Sequence, residues 1–276
     1  MKQYRDLLRE LLTAQGRVDR TGTGTRSVFG RQLRFPLDPL PVVTSKKVHL
    51  PSVIAELCWF LRGETSLKFL HEYGCTIWDE WADENGELGP VYGAQWRAFS
   101  VDGSEGVDQI AACLESLRDD PMSRRHIISA WNPAALPHQS LPPCHMMVQF
   151  YVDSPVKTTD PLDAKPQNRL NLQVYQRSCD VFLGLPFNIT SYALLGRMFC
   201  HILGYNPGEL VMSLGDAHLY ENHIEQASAL LSRQPLPQTS NVEFLEPLGD
   251  LKGVTPKSLK VVGYQSHGVI KAPVSV

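Results

Sequence analysis

Apolar residues at the start of the chain recur every three or four positions, which is the spacing of one face of a helix. Tyr4, Leu7, Leu8, Leu11 and Leu12 follow this pattern. The sequence therefore predicts an amphipathic first helix whose apolar side packs against the rest of the protein.

A second helical pattern begins at Pro51 and ends at Gly63. Proline is favoured in the first turn of a helix, and glycine is favoured just past its end. The apolar side comprises Val53, Ile54, Leu57, Cys58, Phe60 and Leu61. Glu56 interrupts this apolar surface, and a buried carboxylate costs free energy unless it is paired or has a chemical task. A salt bridge and a catalytic role both remain open for it.

The rest of the chain alternates between short apolar runs and segments rich in turn-forming residues. The runs predict strands over residues 28–35, 126–131, 145–152 and 170–174, and helices ending near 114–118 and spanning 189–203 and 224–231. Irregular structure is predicted as an aromatic loop at 89–96, a surface insertion at 153–166, a turn-rich connection at 176–188 and a turn at 215–220. There is no internal repeat or Ser/Gly linker, so we expect a single domain, residues 1–276.

Composition narrows the class of protein. The 276 residues are 43% hydrophobic and 20% charged, which is typical of a globular chain. Since no apolar run reaches about 18 residues, no membrane span is expected, and the first residues lack the apolar core of a signal peptide. The net charge of −3 argues against nucleic-acid binding by bulk electrostatics, so any anion must be bound by a local cluster of cations.

The six cysteines show no Cys-x-x-Cys spacing, so we expect no metal site. With no secretion signal, reduced cytoplasmic thiols are favoured over disulfides. Cys144 differs from the others because it follows Pro142-Pro143, a stiff lead-in, and precedes a predicted strand. Such a junction can hold a thiol at the mouth of a pocket, where nearby cations would make it nucleophilic. A buried structural cysteine is the alternative interpretation.

Other segments have a possible functional role, but each also has an equally simple structural interpretation. The glycine-rich run at 19–25 lets backbone N–H groups approach a ligand, but it is also an ordinary turn. Trp78 could stack on a flat ring or belong to the core. The pair Arg124-Arg125 could be a solvated surface feature or a grip on phosphate. The apolar tail at 268–276 is either tucked away or closes on a ligand.

Taken in order, these segments resemble the thymidylate synthase family over nearly the whole chain. The matching motifs are residues 19–25, 78–86, 141–145, 176–188 and 270–274. The resemblance implies an α+β fold with a large mixed sheet and flanking helices, one sheet face forming the interface of a homodimer. It also implies reductive methylation of deoxyuridylate (dUMP) to thymidylate by 5,10-methylenetetrahydrofolate, with release of dihydrofolate and with no metal.

The resemblance also assigns roles to residues. Cys144 would attack C6 of the uracil ring, Arg177 would lower the pKa of its thiol, and Asn188 would read O4 and N3–H of uracil. The implied catalytic set is Cys144, Glu56, Tyr92, Arg177, Asn188 and Asp180. The implied nucleotide-binding set is Arg20, Arg124, Arg125, Arg177, Ser178, Cys179, Asp180, Asn188, His218, Leu219 and Tyr220, with Arg124 and Arg125 reaching the partner subunit's site. The implied folate-binding set is His49, Ile77, Trp78, Leu141, Asp180, Leu183, Gly184, Phe187 and Ser275.

Two other functions fit the same residues. A deoxyuridylate hydroxymethylase would use Cys144 and Asn188 in the same way and then let water capture the exocyclic methylene. The presence of Trp78 and Leu141, which the resemblance places around that intermediate, favours methylation. A non-catalytic nucleotide- or RNA-binding protein is the second alternative, but simple binding does not require a thiol together with Glu56 and Tyr92.

Overall fold

A computed structural model describes residues 1–19, 21–101, 105–153 and 168–275. Arg20 and all but the first residue of the predicted insertion at 153–166 lie outside these ranges. The helices are α1 (Lys2–Thr13), α2 (Leu50–Arg62), α3 (Leu67–Glu72), α4 (Tyr92–Arg97), α5 (Gln109–Asp119), α6 (Gly184–Leu203) and α7 (Ile224–Ser232). Within the described ranges, none of the helices is both long and apolar enough to cross a lipid bilayer.

The strands form one large mixed sheet and one small sheet. They are β1 (Gly16–Arg17), β2 (Thr25–Pro36), β3 (Ile127–Ser129), β4 (His145–Asp153), β5 (Arg169–Asp180), β6 (Asn206–Tyr220), β7 (Asn241–Phe244) and β8 (Leu259–Val262). The large sheet has the order β1-β2-β6-β5-β4-β3, and β7 pairs with β8. In the large sheet β5 and β6 are parallel, whereas the other neighbours are antiparallel. The expected α+β fold with a large mixed sheet is confirmed.

The two helices predicted from apolar spacing are present. Tyr4, Leu8 and Leu11 of α1 are fully buried, and α2 carries proline in its first turn. Gly63 ends α2 with a φ of 75°, a left-handed conformation that is costly for residues with a Cβ atom. These ends were predictable because capping depends on local backbone geometry.

One face of the large sheet packs against α6, which connects the parallel strands β5 and β6. Phe150 on β4 stacks on Phe199 of α6, with 4.4 Å between ring centroids. The opposite side, which we call the open face, carries Gln32, Tyr151, Gln173, Tyr175 and Ser213. Both glutamine side chains donate hydrogen bonds to Ser213 Oγ over 3.2 Å, while Tyr151 and Tyr175 are exposed.

Three predicted irregular segments are regular instead. The loop at 89–96 contains the start of α4, and the turn at 215–220 is the end of β6. The connection at 176–188 is strand up to Asp180 and helix from Gly184, so α6 begins five residues earlier than predicted. Polar residues and glycine predict turns at 176–188 and 215–220. The strand portions of these two segments instead form backbone hydrogen bonds with strands that are distant in the sequence.

Gly215 illustrates how the two strands come together. A Cβ atom at this position would lie 2.8 Å from the Arg177 carbonyl oxygen. The glycine is therefore required by the close approach of β6 to β5, and it does not mark a turn.

Candidate active site

Cys144 lies between the Pro142-Pro143 lead-in and the first residue of β4, as predicted. It is partly exposed, whereas the other five cysteines are buried, and all six are free thiols. Its backbone is fixed on both sides: the Cys144 N–H donates to the Tyr92 hydroxyl over 2.7 Å, and the Arg177 N–H donates to the Cys144 carbonyl over 2.8 Å. The thiol therefore sits in a defined position at the surface of the core.

The guanidinium group of Arg177 is held beside this thiol by the proline segment. Its Nε donates to the Pro143 carbonyl and its Nη2 to the Pro142 carbonyl, each over 2.8 Å. Burial raises the pKa of the Cys144 thiol above its usual value, while the Arg177 charge and the Tyr92 hydroxyl lower it. Arg177 thus acts in the expected direction, but in this single chain burial has the larger effect on the pKa.

Glu56 is buried on α2, and the ion pairs among the described residues do not include it. Its Oε1 accepts a hydrogen bond from Trp78 Nε1 over 2.8 Å. Burial raises the pKa of Glu56 to about 7, and the Trp78 hydrogen bond opposes that rise. The salt-bridge alternative is therefore not supported, and a carboxyl that titrates near neutrality is suited to proton transfer.

An aromatic cluster connects Glu56 to Cys144. The Tyr92 ring lies 5.9 Å from the Trp78 ring and stacks on His145 with 4.2 Å between centroids. The hydroxyl of Tyr192 hydrogen-bonds to His145 Nδ1, and burial lowers the pKa of His145 to about 3. His145 therefore stays neutral at physiological pH. No motif in the sequence assigns His145 a role, although its position directly after Cys144 is a usable signal.

Asn188 lies in the second turn of α6, where Gln176 reaches it from β5. Gln176 Nε2 donates to Asn188 Oδ1 over 3.0 Å, which fixes the orientation of the Asn188 amide. Gln176 is only 3% exposed. The sequence alone indicates no separate role for Gln176, because only the fold shows that the last part of β5 and the start of α6 are in contact.

The parallel register of β5 and β6 places Asp180 opposite His218. Asp180 Oδ1 accepts hydrogen bonds from the backbone of Phe182 and Leu183 over 2.9 and 3.0 Å. Although burial lowers the pKa of His218, hydrogen bonding to Asp216 and nearby carboxylates raise it overall. The Tyr220 ring meets His218 edge-on at 5.2 Å, so the predicted imidazole and phenol lie side by side, but on a strand.

The apolar side chains of the expected folate set belong to the hydrophobic core or pack against it. Ile77, Leu141, Leu183 and Phe187 are partly buried against the core, Trp78 is 6% exposed, and Gly184 begins α6. His49 precedes α2, and its Nδ1 lies 2.8 Å from Ser52 Oγ.

The tail that follows β8 contacts the glycine-rich run. Ser275 Oγ lies 3.2 Å from Thr23 Oγ, and the Pro273 carbonyl lies 2.7 Å from Nε2 of the buried His223. The tail is thus held against the protein, which agrees with the tucked alternative.

Other residues of the predicted nucleotide-binding set are exposed, buried or outside the described ranges. Arg124 and Arg125 lie on an exposed segment before β3, and the ion pairs of the described residues include neither of them. The side chains of Cys179 and Leu219 are fully buried, so a ligand could contact these residues only through their backbone. Arg20 is outside the described ranges. No group of three or more His, Cys, Asp or Glu side chains suited to a metal ion occurs among the described residues.

The α+β fold with its mixed sheet places a partly exposed thiol among a fixed arginine, a buried carboxyl and a neutral imidazole. A nucleophile combined with proton-transfer groups defines the class of this protein as an enzyme. The family model for thymidylate synthase matches residues 2–276, which is essentially the whole chain. The protein therefore belongs to the thymidylate synthase family, a family of methyltransferases, and the resemblance seen in the motifs is confirmed.

Proposed function

We propose that this protein is a thymidylate synthase that converts dUMP to thymidylate with 5,10-methylenetetrahydrofolate as one-carbon and hydride donor. The observation that carries the proposal is the position of Cys144, partly exposed, hydrogen-bonded through its backbone to Tyr92 and adjacent to Arg177. The family match over residues 2–276 supports the same activity and a single catalytic domain, 1–276.

The proposed nucleophile is the Cys144 thiolate. Its sulfur adds to C6 of uracil, and the electrons of the C5–C6 double bond move to C5, which becomes able to accept the one-carbon unit. The positive charge of Arg177 stabilises the thiolate that burial disfavours. Removal of the C5 proton then breaks the bond between the one-carbon unit and the folate and leaves an exocyclic methylene on C5. Hydride transfer to that methylene forms the methyl group, restores the C5–C6 double bond and expels the Cys144 sulfur from C6.

Glu56 and Tyr92 are proposed to move protons at the pyrimidine. A group with a pKa of about 7 is present in both its acid and its base form near neutral pH, which suits it to donating and accepting in the same cycle. Trp78 holds one Glu56 oxygen, leaving the other for a water molecule next to the substrate. Tyr92 lies close enough to Cys144 to act at the same ring.

The proposed nucleotide site extends from the thiol along β5 and β6. Arg20, Arg177 and Ser178 bind the phosphate dianion, joined by Arg124 and Arg125 of a second subunit. His218 and Tyr220 bind the 3′-hydroxyl, and Asp180, with the backbone of Cys179 and Leu219, completes the pocket. Asn188 reads the base, because a side-chain amide offers both a donor and an acceptor to O4 and N3–H of uracil.

Changing Asn188 to Asp is expected to shift the preference from dUMP toward deoxycytidylate by at least about tenfold, since a carboxyl pairs better with the 4-amino group. A carboxylate oxygen still accepts the Gln176 hydrogen bond, so the local structure should survive. The measurement is the ratio of kcat/KM for the two nucleotides, with Asn85→Asp in an exposed turn as the control. An unchanged ratio for Asn188→Asp would contradict the role in base selection.

The residues near Trp78 and Asp180 fit a reduced folate. A pterin is flat and carries several N–H donors. Here the Asp180 carboxylate accepts a hydrogen bond from the Leu183 backbone, and the apolar side chains of Ile77, Leu183 and Phe187 pack against the core. We propose that Asp180 hydrogen-bonds the pterin and that His49, Leu141, Gly184 and Ser275 complete this side. When bound, the folate supplies the methylene group and the hydride.

A hydroxymethylase of the same fold is the alternative product chemistry. Methylation is favoured because the Trp78 indole is fixed by Glu56 and is 6% exposed. A fixed ring next to the reacting carbon excludes water and leaves the hydride as the available partner.

The open face of the sheet supports the proposed homodimer. Tyr151 and Tyr175 are exposed there at 57% and 37%, and exposed aromatic side chains are typical of protein interfaces. In such a dimer, Arg124 and Arg125 would serve the neighbouring site.

No disulfide is present among the six cysteines, which agrees with a reducing, cytoplasmic compartment.

Mixing Arg125→Glu subunits with Cys144→Ser subunits tests this sharing. Each parent is expected to be nearly inactive, but a hybrid dimer has one site with both an intact Cys144 and an intact Arg125. Random pairing should restore about a quarter of the wild-type activity. Arg118→Glu, an exposed arginine at the end of α5, should remain active by itself. If mixing restores no activity although hybrid dimers form, the phosphate-binding residues are not shared between subunits.

The overall proposal is tested by incubating the purified protein with dUMP and 5,10-methylenetetrahydrofolate. The expected result is formation of thymidylate and dihydrofolate in equal amounts, identified by mass spectrometry. Appearance of 5-hydroxymethyl-deoxyuridylate without dihydrofolate would establish the hydroxymethylase instead. Binding of dUMP with neither product would support the non-catalytic alternative.

A further inference from the structure

Trp131 is the exception among the five tryptophans of the chain. Trp59, Trp78 and Trp96 are buried in the hydrophobic core, and Trp81 packs against it. Trp131 is only partly buried and is not part of that core or of the layer around it. Since an indole gains most from burial, packing alone does not account for its position.

The ring of Trp131 faces the guanidinium group of Arg177. The distance from Arg177 Cζ to the ring centroid is 5.6 Å, within the range at which a cation is attracted to the face of an indole. Within the described part of the chain, no other aromatic ring or cation is in contact with this indole. The tryptophan and the arginine are 46 positions apart in the sequence, and only the pairing of β3, β4 and β5 brings them together.

The backbone around Trp131 is fixed, so the ring is presented at a defined place. Ala130 N–H donates to the Met146 carbonyl over 2.7 Å. On the other side, Asn132 is buried, and its Nδ2 donates to Gln95 Oε1 and to the Ser100 carbonyl over 2.9 and 2.7 Å. The two neighbours of Trp131 are therefore anchored, one of them to the strand that follows Cys144.

The contacts of Arg177 leave its charge available. The Pro142 and Pro143 carbonyls accept from one edge of the guanidinium, at Nη2 and Nε, and the ion pairs among the described residues do not include Arg177. A carboxylate partner would orient the guanidinium group of Arg177 but would also neutralise its charge. The carbonyl oxygens and the indole face orient the guanidinium group and leave its full positive charge available to an anion.

We propose that Trp131 is a positioning residue: its indole holds Arg177 in the orientation that binds the nucleotide phosphate and stabilises the Cys144 thiolate. This inference rests on the proposed function, because it assigns Arg177 the phosphate and the thiolate as its two anionic partners. Trp131 is proposed to act through Arg177 and not on either anion directly. The Pro142 and Pro143 carbonyls fix one edge of the Arg177 guanidinium group, and the Trp131 ring limits its rotation about that edge.

Two substitutions separate the ring face from simple bulk. Trp131→Leu removes the aromatic face and keeps an apolar side chain, whereas Trp131→Phe keeps a weaker face. We expect Trp131→Leu to raise the Kd for dUMP roughly two- to fivefold, the size of one partly exposed cation–π contact, with Trp131→Phe recovering most of the loss. The Kd for deoxyuridine, which lacks the phosphate, should stay the same in all three proteins.

A second measurement does not depend on the substrate. The rate at which iodoacetamide alkylates Cys144 is followed against pH, and the midpoint reports the thiolate. Trp131→Leu should move this midpoint upward, and it should have no further effect when Arg177 is already replaced by Ala. Thermal unfolding of each variant shows whether the fold is retained.

The inference is overturned if Trp131→Leu weakens dUMP and deoxyuridine equally, if Trp131→Phe behaves like Trp131→Leu, or if the alkylation midpoint shifts just as much in the Arg177→Ala background. These results are distinct from failure of the proposed function, which would appear as absence of thymidylate in the wild-type protein. If the wild-type protein does not bind dUMP, the alkylation midpoint alone decides the role of Trp131.

Discussion

Replacing Cys144 by serine is expected to lower turnover by at least about a thousandfold, because a hydroxyl is a far weaker nucleophile than a thiolate and no other described group can replace it at C6. The backbone contacts of residue 144 with Tyr92 and Arg177 do not involve the side chain and should persist. Binding of dUMP should therefore change little, so that chemistry is lost while affinity is retained.

The measurement combines steady-state turnover, dUMP titration and covalent trapping. With a 5-fluorinated deoxyuridylate and the folate, the wild-type protein should form an adduct that peptide mass spectrometry places on residue 144, and Cys144→Ser should form none. Cys113→Ala, a buried thiol on α5, is the matched control and should keep both activity and adduct. Turnover by Cys144→Ser, or an adduct on another residue, would refute the nucleophile assignment.

Replacing Glu56 by glutamine should have two opposite effects. Turnover is expected to fall about 10²- to 10⁴-fold, the usual contribution of a positioned acid–base group. Stability is expected to rise at neutral pH, because burial raises the pKa of Glu56 from 4.5 to about 7 in the folded protein. A group that costs stability but supports catalysis is the pattern expected of a functional site.

The pH dependence of this stability gain follows from the direction of the pKa shift. Below pH 4.5 the carboxyl is protonated in both the folded and the unfolded chain, so Glu56 contributes no pH dependence. Between about 4.5 and 7 the unfolded chain has lost the proton while the folded chain retains it, and the wild-type free energy of unfolding falls by up to ~1.4 kcal/mol per pH unit. Above about 7 both forms are ionised and the difference is constant.

Glutamine does not titrate, so the difference in free energy of unfolding between Glu56→Gln and the wild type should grow between about pH 4.5 and 7 and then stay constant. Denaturant unfolding at a series of pH values measures it. Glu84→Gln, the same change at an exposed position, is the matched control and should leave turnover and stability at neutral pH nearly unchanged. A Glu56→Gln protein with full turnover, or a stability difference that does not vary with pH, would show that Glu56 is not a buried proton-transfer group.

The amino-acid sequence alone determined the features that depend on near neighbours along the chain. Apolar spacing gave α1, and Pro51 and Gly63 marked both ends of α2, because capping and propensity act over a single helical turn. The Pro142-Pro143 lead-in fixed Cys144 at a loop–strand junction. The motifs are long enough to identify the thymidylate synthase family from the sequence alone.

Only the tertiary structure decided the features that depend on contacts between distant segments. The ends of β5 and β6 contain polar residues and glycine and were predicted as turns, but each strand provides the hydrogen-bond partners of the other. The contacts of Gln176 with Asn188 and of Trp131 with Arg177 join residues from separate elements. The raised pKa of Glu56 has the same origin, since the dielectric surroundings of a side chain are set by everything that packs around it and not by its neighbours in the sequence.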